Sequence, residues 1–337
     1  MTEDVRKLTL YLRESDREPG GRLVADALFD LFQRSALRVS VLVRGVEGFG
    51  RSGLVESERL ETLAVDLPLV AVAVDRPQRI EHVLGEVRSL MSSGVVTVER
   101  ARLVTDAVPE PKGGSTAAKL TVYCGRAERA EGGSAARAVI EHAQIHGASA
   151  GSVLLGLDGT VHGVRRRARF ASRNADVPLM VIVVGPDQAI AAARPGIVEM
   201  LNDPVVTLER VAIGDPPPMP ADAAEGSQWW QKLMVHCGAD ASSGGRPLHL
   251  AVLDRLRTEG LAGATSMRGY WGFAAGSRPH GDSARALRRR TPVLTVAVDR
   301  AQAVERAWPA LQSLVAAGGV LTREWVPVVD ARPPAQA

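Results

Sequence analysis

Three stretches combine glycine and arginine in a pattern that could hold an anion. RGVEGFGR places Arg44, Gly45, Gly48, Gly50 and Arg51 directly behind the apolar run VSVLV. RGYWG brings Arg268, Gly269 and Gly272, and LGLDG brings Gly156 and Gly159 behind Leu155. Glycine admits positive φ and lets a backbone come close to another group. Successive N–H groups in such a turn form a concave anion nest, and flanking guanidiniums add charge-assisted hydrogen bonds. The same glycines equally suit a bulge where a strand leaves its sheet. Arginine precedes the pair at Arg44 and Arg268 only, so a polar site of this kind exists in at most two of three places.

The stretch after RGVEGFG is mixed in charge, and those after LGLDG and RGYWG are basic. VRRRARFASRN carries Arg165, Arg166, Arg167, Arg169 and Arg173 with no acid; SRPHGDSARALRRR carries Arg288, Arg289 and Arg290. They read either as solvated surface loops or as a dock for an acidic partner, an anionic ligand or a membrane surface. No aromatic platform accompanies them, which weighs against RNA.

Other chemistry is thin. Double glycines at Gly20-Gly21, Gly132-Gly133 and Gly244-Gly245 precede helical patterns but match neither phosphate-loop signature. His142 and His146 have helical metal-binding spacing without a third ligand. Cys124 and Cys237 fall where another copy has Leu12, which points to core packing. No nucleophile elbow, zinc-protease motif or Cys–His pair occurs, so the expected role is not enzymatic.

Composition sets the frame. The 337 residues are 45% hydrophobic, with 41 basic against 38 acidic side chains, a net charge of +3. That balance does not argue for DNA. Two cysteines exclude a disulfide scaffold and suit a reducing cytoplasm. The charged start, MTEDVRKLTLYL, is no signal peptide, and no apolar run approaches membrane-span length.

The chain repeats itself three times. VRKLTLYL, AAKLTVYC and WQKLMVHC align Lys7, Lys119 and Lys232. PLVAVAV, PLMVIVV and PVLTVAV align Pro68, Pro178 and Pro292, and VVTVER, VVTLER and VLTREW align Glu99, Glu209 and Glu324. Such a period is one small domain rather than a solenoid unit. We delimit repeat 1 at 5–105, repeat 2 at 117–213 and repeat 3 at 229–329. Linkers fall at 106–116 and 214–228 (Pro-rich), and a disordered tail is expected at 330–337.

Within each unit the periodicity alternates in the order βαββαβ. This predicts an α+β class of three ferredoxin-like βαββαβ repeats, each with both helices on one sheet face. The other face is apolar and must be covered. Packing three such sheets about a threefold axis covers it, so the expectation is a monomer folded as an intrachain pseudo-trimer. Asp75 and Asp299, where the third strand meets the second helix, read as N-caps.

KLTLYLRESD, VLVRGVEGFG and DLPLVAVAVD together resemble the Domain of Unknown Function 190 family, within the PII-like superfamily. The resemblance covers nearly all of repeat 1, and repeats 2 and 3 are diverged copies. It implies a trimeric βαββαβ assembly, here fused into one chain. Gly48-Phe49-Gly50-Arg51 is similar to the stretch opening the nucleotide-binding T-loop of PII proteins. The second, glycine- and lysine-rich phosphate loop of those proteins is missing, since only SSG precedes VVTVE. Family members are often encoded beside fluoride-exporting channels, which implies a role near an ion transporter. The expected function is therefore regulatory: a small anion or nucleotide binds in inter-repeat clefts and a loop signals to a partner. The alternative is a ligand-free interaction module docking through its basic loops.

Overall fold

The structure, a computed structural model, describes residues 3–50, 53, 55–57, 66–104, 117–130, 132–168, 177–214, 218–220, 228–281 and 291–332. Arg51, Arg169, Arg173, Arg288, Arg289 and Arg290 lie outside these residues, as do the first linker, much of the second and residues 333–337.

In repeat 1 the first strand, Glu3–Arg13, lies between the third, Pro68–Asp75, and the fourth, Gly94–Leu103. The second, Val39–Arg44, pairs with the third. Every pairing is antiparallel. Repeat 2 arranges Ala117–Gly125, Ala150–Val161, Pro178–Pro186 and Val205–Ile213 in the same way. Repeat 3 does so with Gln228–Gly238, Ala264–Arg268, Pro292–Asp299 and Gly319–Arg332. Alternation builds these strands: Leu8, Leu10 and Leu12 turn to one side, while Lys7, Thr9 and Tyr11 turn to the other.

The expected three ferredoxin-like α+β units, packed as a pseudo-trimer, are corrected by what happens at the strand edges. The main strands belong to one hydrogen-bonded sheet. Among the described residues it forms a nine-stranded closed antiparallel β-barrel with extra strands and six helices, and 49% of those residues are strand. Fourth strands pair across repeats, Thr207 with Leu103, Ala212 with Arg323 and Val328 with Thr97. Second strands do the same, directly or through the short strands Glu47–Phe49 and Trp271–Ala274 that follow them: Thr160 pairs with Ser40, Thr265 with Gly48 and Gly151 with Phe273. The physical reason is the edge. Sequence reasoning covered the bare sheet faces but left six strand edges with unpaired N–H and C=O groups, and closing the sheet removes them.

Two kinds of core result. Under each helix pair lies a private core, such as Leu8, Leu10 and Leu12 against Leu28, Phe32, Ile80 and Val83 in repeat 1. Among the opposite faces lies a shared core with side chains from all three repeats, including Val41, Val72, Ile182, Leu154, Met267 and Leu294. Asp75 and Asp299 do not cap their helices. Each accepts from the next residue's N–H and, at 2.9 and 2.7 Å, from the N–H of Arg38 or Ala262, tying the third strand to the start of the second. Their helices instead start at Arg76 and Arg300 without a side-chain cap.

Candidate functional site

The glycine pairs sit at the seams between repeats. A Cβ on Gly48 would stand 2.6 Å from the Ala264 carbonyl oxygen, one on Gly159 2.3 Å from that of Ser40, and one on Gly272 2.1 Å from that of Gly151. Each of these carbonyls belongs to the neighbouring repeat. The first glycine of each pair lies against the proline opening its own third strand: Gly45 on Pro68, Gly156 on Pro178, Gly269 on Pro292. Glycine is needed here because the second strand slips beneath that proline and onto the next repeat's sheet, where no side chain fits. The guanidinium of Arg44 pairs with Glu14 at 2.6 Å. Arg268 is the last residue of the corresponding strand in repeat 3.

Between the two glycines stands a different residue at each seam, and each engages the first helix of the adjoining repeat in its own way. Glu47, fully buried, lies 3.3 Å from His249 at the start of Leu248–Thr258. Trp271 receives the Arg137 guanidinium over its ring at 4.2 Å, from Ala135–Ile145. Asp158 is held by Arg165, which also pairs with Asp30 on Val24–Arg34 and lies 5.9 Å over Phe29. Arg167 reaches Asp26 at 2.9 Å. Two of the arginines read as a partner dock are thus committed inside the chain. Arg166 follows in the same short strand, Val164–Arg167, with an exposed side chain.

A cavity of ≈ 120 Å³ opens between repeats 1 and 3. Gly48, Phe49 and Gly50 line one side, and Ala262, Gly263, Ala264 and Val296–Val298 line the other. Its lining is mainly apolar, about the scale of a site that accepts one small ring. Two guanidiniums reach it, Arg13 and Arg332, beside Asp16, Glu56 and Asp66. Arg13 stands 3.8 Å from Asp66, and its Nη2 lies 3.1 Å from where a Gly50 Cβ would be. Arg332 pairs with Asp330 at 2.8 Å and donates to the Met91 carbonyl at 2.6 Å. The structure thus brings Gly48 and Gly50 to a cleft, while the cleft's positive charge comes from Arg13 and Arg332, which sequence reading did not select. The signal available was weak: Arg13 ends the first strand, and Arg332 lies where a tail was expected.

At the centre stands a feature whose residues served only to align the copies. Lys7, Lys119 and Lys232 alternate with Glu99, Glu209 and Glu324 in a closed ring, each repeat supplying one of each. Lys7 meets Glu99 at 2.7 Å and also Glu209. Lys119 meets Glu209 at 2.9 Å and also Glu324. Lys232 meets Glu324 at 2.8 Å and Glu99 at 2.7 Å. All six are buried. Burial opposes charge on the three lysines, but the facing carboxylates outweigh it and hold all three ammoniums above their usual range. Burial likewise pushes Glu99 and Glu324 up, and the lysines more than reverse it, leaving both below the usual carboxylate range. The carboxylate oxygens lie within 4.8 Å of one another, yet three ammoniums already balance them, so the ring reads as an ionic lock. The legible signal was a lysine and a glutamate at fixed places in otherwise apolar, alternating strands.

His142 and His146 stack with ring centroids 4.3 Å apart, and His146 Nδ1 lies 2.9 Å from the His142 carbonyl. Cys124 and Cys237 are buried free thiols, both pushed up to about 12 by burial.

A family model described as "Uncharacterized ACR" matches residues 5–103, 117–213 and 230–328. The chain belongs to this family, Domain of Unknown Function 190, in three tandem copies. A UPF0166 protein of Aquifex aeolicus (strain VF5) is 30% identical over 78 residues, which is 23% of this chain and 80% of the relative. A crystal structure of aspartate kinase from Synechocystis aligns with 96% of this chain and 44% of its own length, at 12% identity and a TM-score of 0.25. This chain thus spans less than half of that protein, and at that score the likeness bears on neither fold nor function. Among the described residues no helix is long and apolar enough to cross a membrane.

Proposed function

We propose that this Domain of Unknown Function 190 chain is a PII-like regulatory protein. It binds a small anion or the base and phosphate of a nucleotide in the cleft between repeats 1 and 3. The supporting observation is that cleft itself, with Gly48 to Gly50 on one wall, apolar side chains behind, and Arg13 and Arg332 at its rim. Apolar walls with a few convergent polar groups are the usual form of a small-molecule site. Binding would draw Arg13 from Asp66 at the rim of the cleft, a population shift that a partner reads. An ion transporter, fluoride-exporting channels included, is the partner class the family resemblance favours. The role is binding rather than turnover.

Thermal unfolding against nucleotides, phosphate, fluoride and other small anions tests this reading. A ligand binding only the native state at 100 times its Kd stabilises by about 2.7 kcal/mol. The expected result is a rise in Tm with one compound class that disappears in Arg13→Ala and Arg332→Ala. A rise unaffected by both variants places the site elsewhere, and no rise with any compound rejects the reading.

A further inference from the structure

The face of each strand that carries the ring lysine continues along the barrel axis with further polar side chains. Two residues past Lys7, Lys119 and Lys232 come Thr9, Thr121 and Met234, and two further come Tyr11, Tyr123 and His236. Thr97, Thr207 and Thr322 face the threonine layer from the fourth strands, paired in register with Thr9, Thr121 and Met234. All five threonines are buried, as are Tyr123 and His236.

Several of these groups have no protein hydrogen-bond partner. They are Thr9 Oγ1, the second oxygen of Glu209, and both ring nitrogens of His236. The Tyr123 hydroxyl and Thr207 Oγ1 stand beside each other and satisfy at most one bond between them. A buried polar atom left without a partner pays its full desolvation penalty, so several on one axis require a common explanation.

The chemistry of the set selects the occupant. A carboxylate oxygen only accepts. A neutral imidazole must both donate and accept, and hydroxyls do either. The adjacent ring has three positive and three negative groups, so an added ion would lie buried and uncompensated. Water alone donates and accepts without bringing charge, and buried water typically takes about three partners.

We propose that the barrel axis binds a small cluster of ordered water molecules between the charge ring and the Tyr11–Tyr123–His236 layer. Thr9, Thr207, Tyr123, His236 and Glu209 hold it. Met234 and His236 make the repeat 3 side unlike the others, so the cluster is asymmetric and anchored at His236. This assignment does not rest on ligand binding in the cleft between repeats 1 and 3, whose lining shares only Tyr11 with it.

Two measurements test it. A crystal structure fine enough to show solvent should reveal water within hydrogen-bond distance of His236 and Thr9. Water-oxygen relaxation dispersion on the intact protein should count at least two long-lived internal waters, and His236→Phe, which keeps an aromatic ring but removes both nitrogens, should lose at least one. A dry axis with the side chains rotated into mutual hydrogen bonds overturns the proposal. So does a halide or metal ion there, or an unchanged water count in His236→Phe.

Discussion

The centre of the barrel and its seams solve the same problem differently. At the centre all three repeats use the same pair, lysine against glutamate, in a ring where each ion touches both neighbours. At the seams one position carries glutamate, aspartate or tryptophan, and each meets a different partner: a histidine, an arginine bridge or a cation–π contact. A ring leaves little freedom, because changing one member strands two neighbours. A seam is a pairwise contact, so each can change with its own partner. The copies are therefore interchangeable at the axis and individual where clefts open.

The largest expected effect comes from breaking the ring. Lys119→Met removes one of three buried ammoniums and leaves Glu209 and Glu324 short of a partner. Breaking a buried pair in this way costs about 3–5 kcal/mol, read as a fall in the denaturation midpoint. Adding Glu209→Leu to it should recover part of that loss. A Lys119→Met loss below about 1 kcal/mol would mean that the ring contributes no more than a surface pair.

Next comes acid. Burial holds His236 down to about 3, so its imidazole stays neutral in the fold while the unfolded chain protonates near the ordinary pKa of ~6.5. The unfolded state then binds the extra proton, and stability falls as pH drops from about 6.5 towards 3, by up to about 1.4 kcal/mol per pH unit. Above pH 6.5 this contribution is fully present. His236→Tyr, the residue of the other two copies, should flatten that slope; an unchanged slope would show that His236 does not titrate this way.

The seams should respond more weakly and locally. Gly159→Ala drives a methyl into the Ser40 carbonyl and should cost about 1–3 kcal/mol, the scale of overpacking. Hydrogen exchange should then rise at the paired strands of repeats 1 and 2 while repeat 3 stays protected. Exchange rising equally in all three repeats would show that the seams are not independent.

Smallest are the contacts particular to one seam. Arg137→Ala should lose about 0.5–2 kcal/mol of cation–π attraction, and Arg165→Ala a similar amount through its bonds to Asp158 and Asp30. A double variant should lose the sum of the two, since the contacts share no residue. Strong non-additivity would mean that strain passes around the barrel.

Much of this arrangement could be read from the residues and some could not. The succession of strands and helices along each copy was legible, because Leu8, Leu10 and Leu12 alternate and Leu28, Leu31 and Phe32 follow helical spacing. Closure into one barrel was not. Edge pairing such as Val161 with Val39 leaves no periodic trace, since backbone groups make it. Gly48 and Gly159 were visible as unusual glycines, but their reason, a neighbouring carbonyl where a Cβ would go, exists only in three dimensions. Arg165 looked like surface charge because its partners, Asp158 and Asp30, are 7 and 135 residues away. Lys7 and Glu99 were visible in every copy, yet their meeting with other copies' partners depends on the closure that sequence could not supply.

The last strand runs alongside repeat 1, with Arg332 opposite Gly94, and this has a bearing on synthesis. Repeats 1 and 2 can join while repeat 3 is still being made. The cleft between repeats 1 and 3 cannot form then, because one of its walls and Arg332 emerge later. Ribosome-bound or truncated chains would thus carry the first two copies and no cleft, so that any partner reading the cleft would answer only to chains whose third copy had docked.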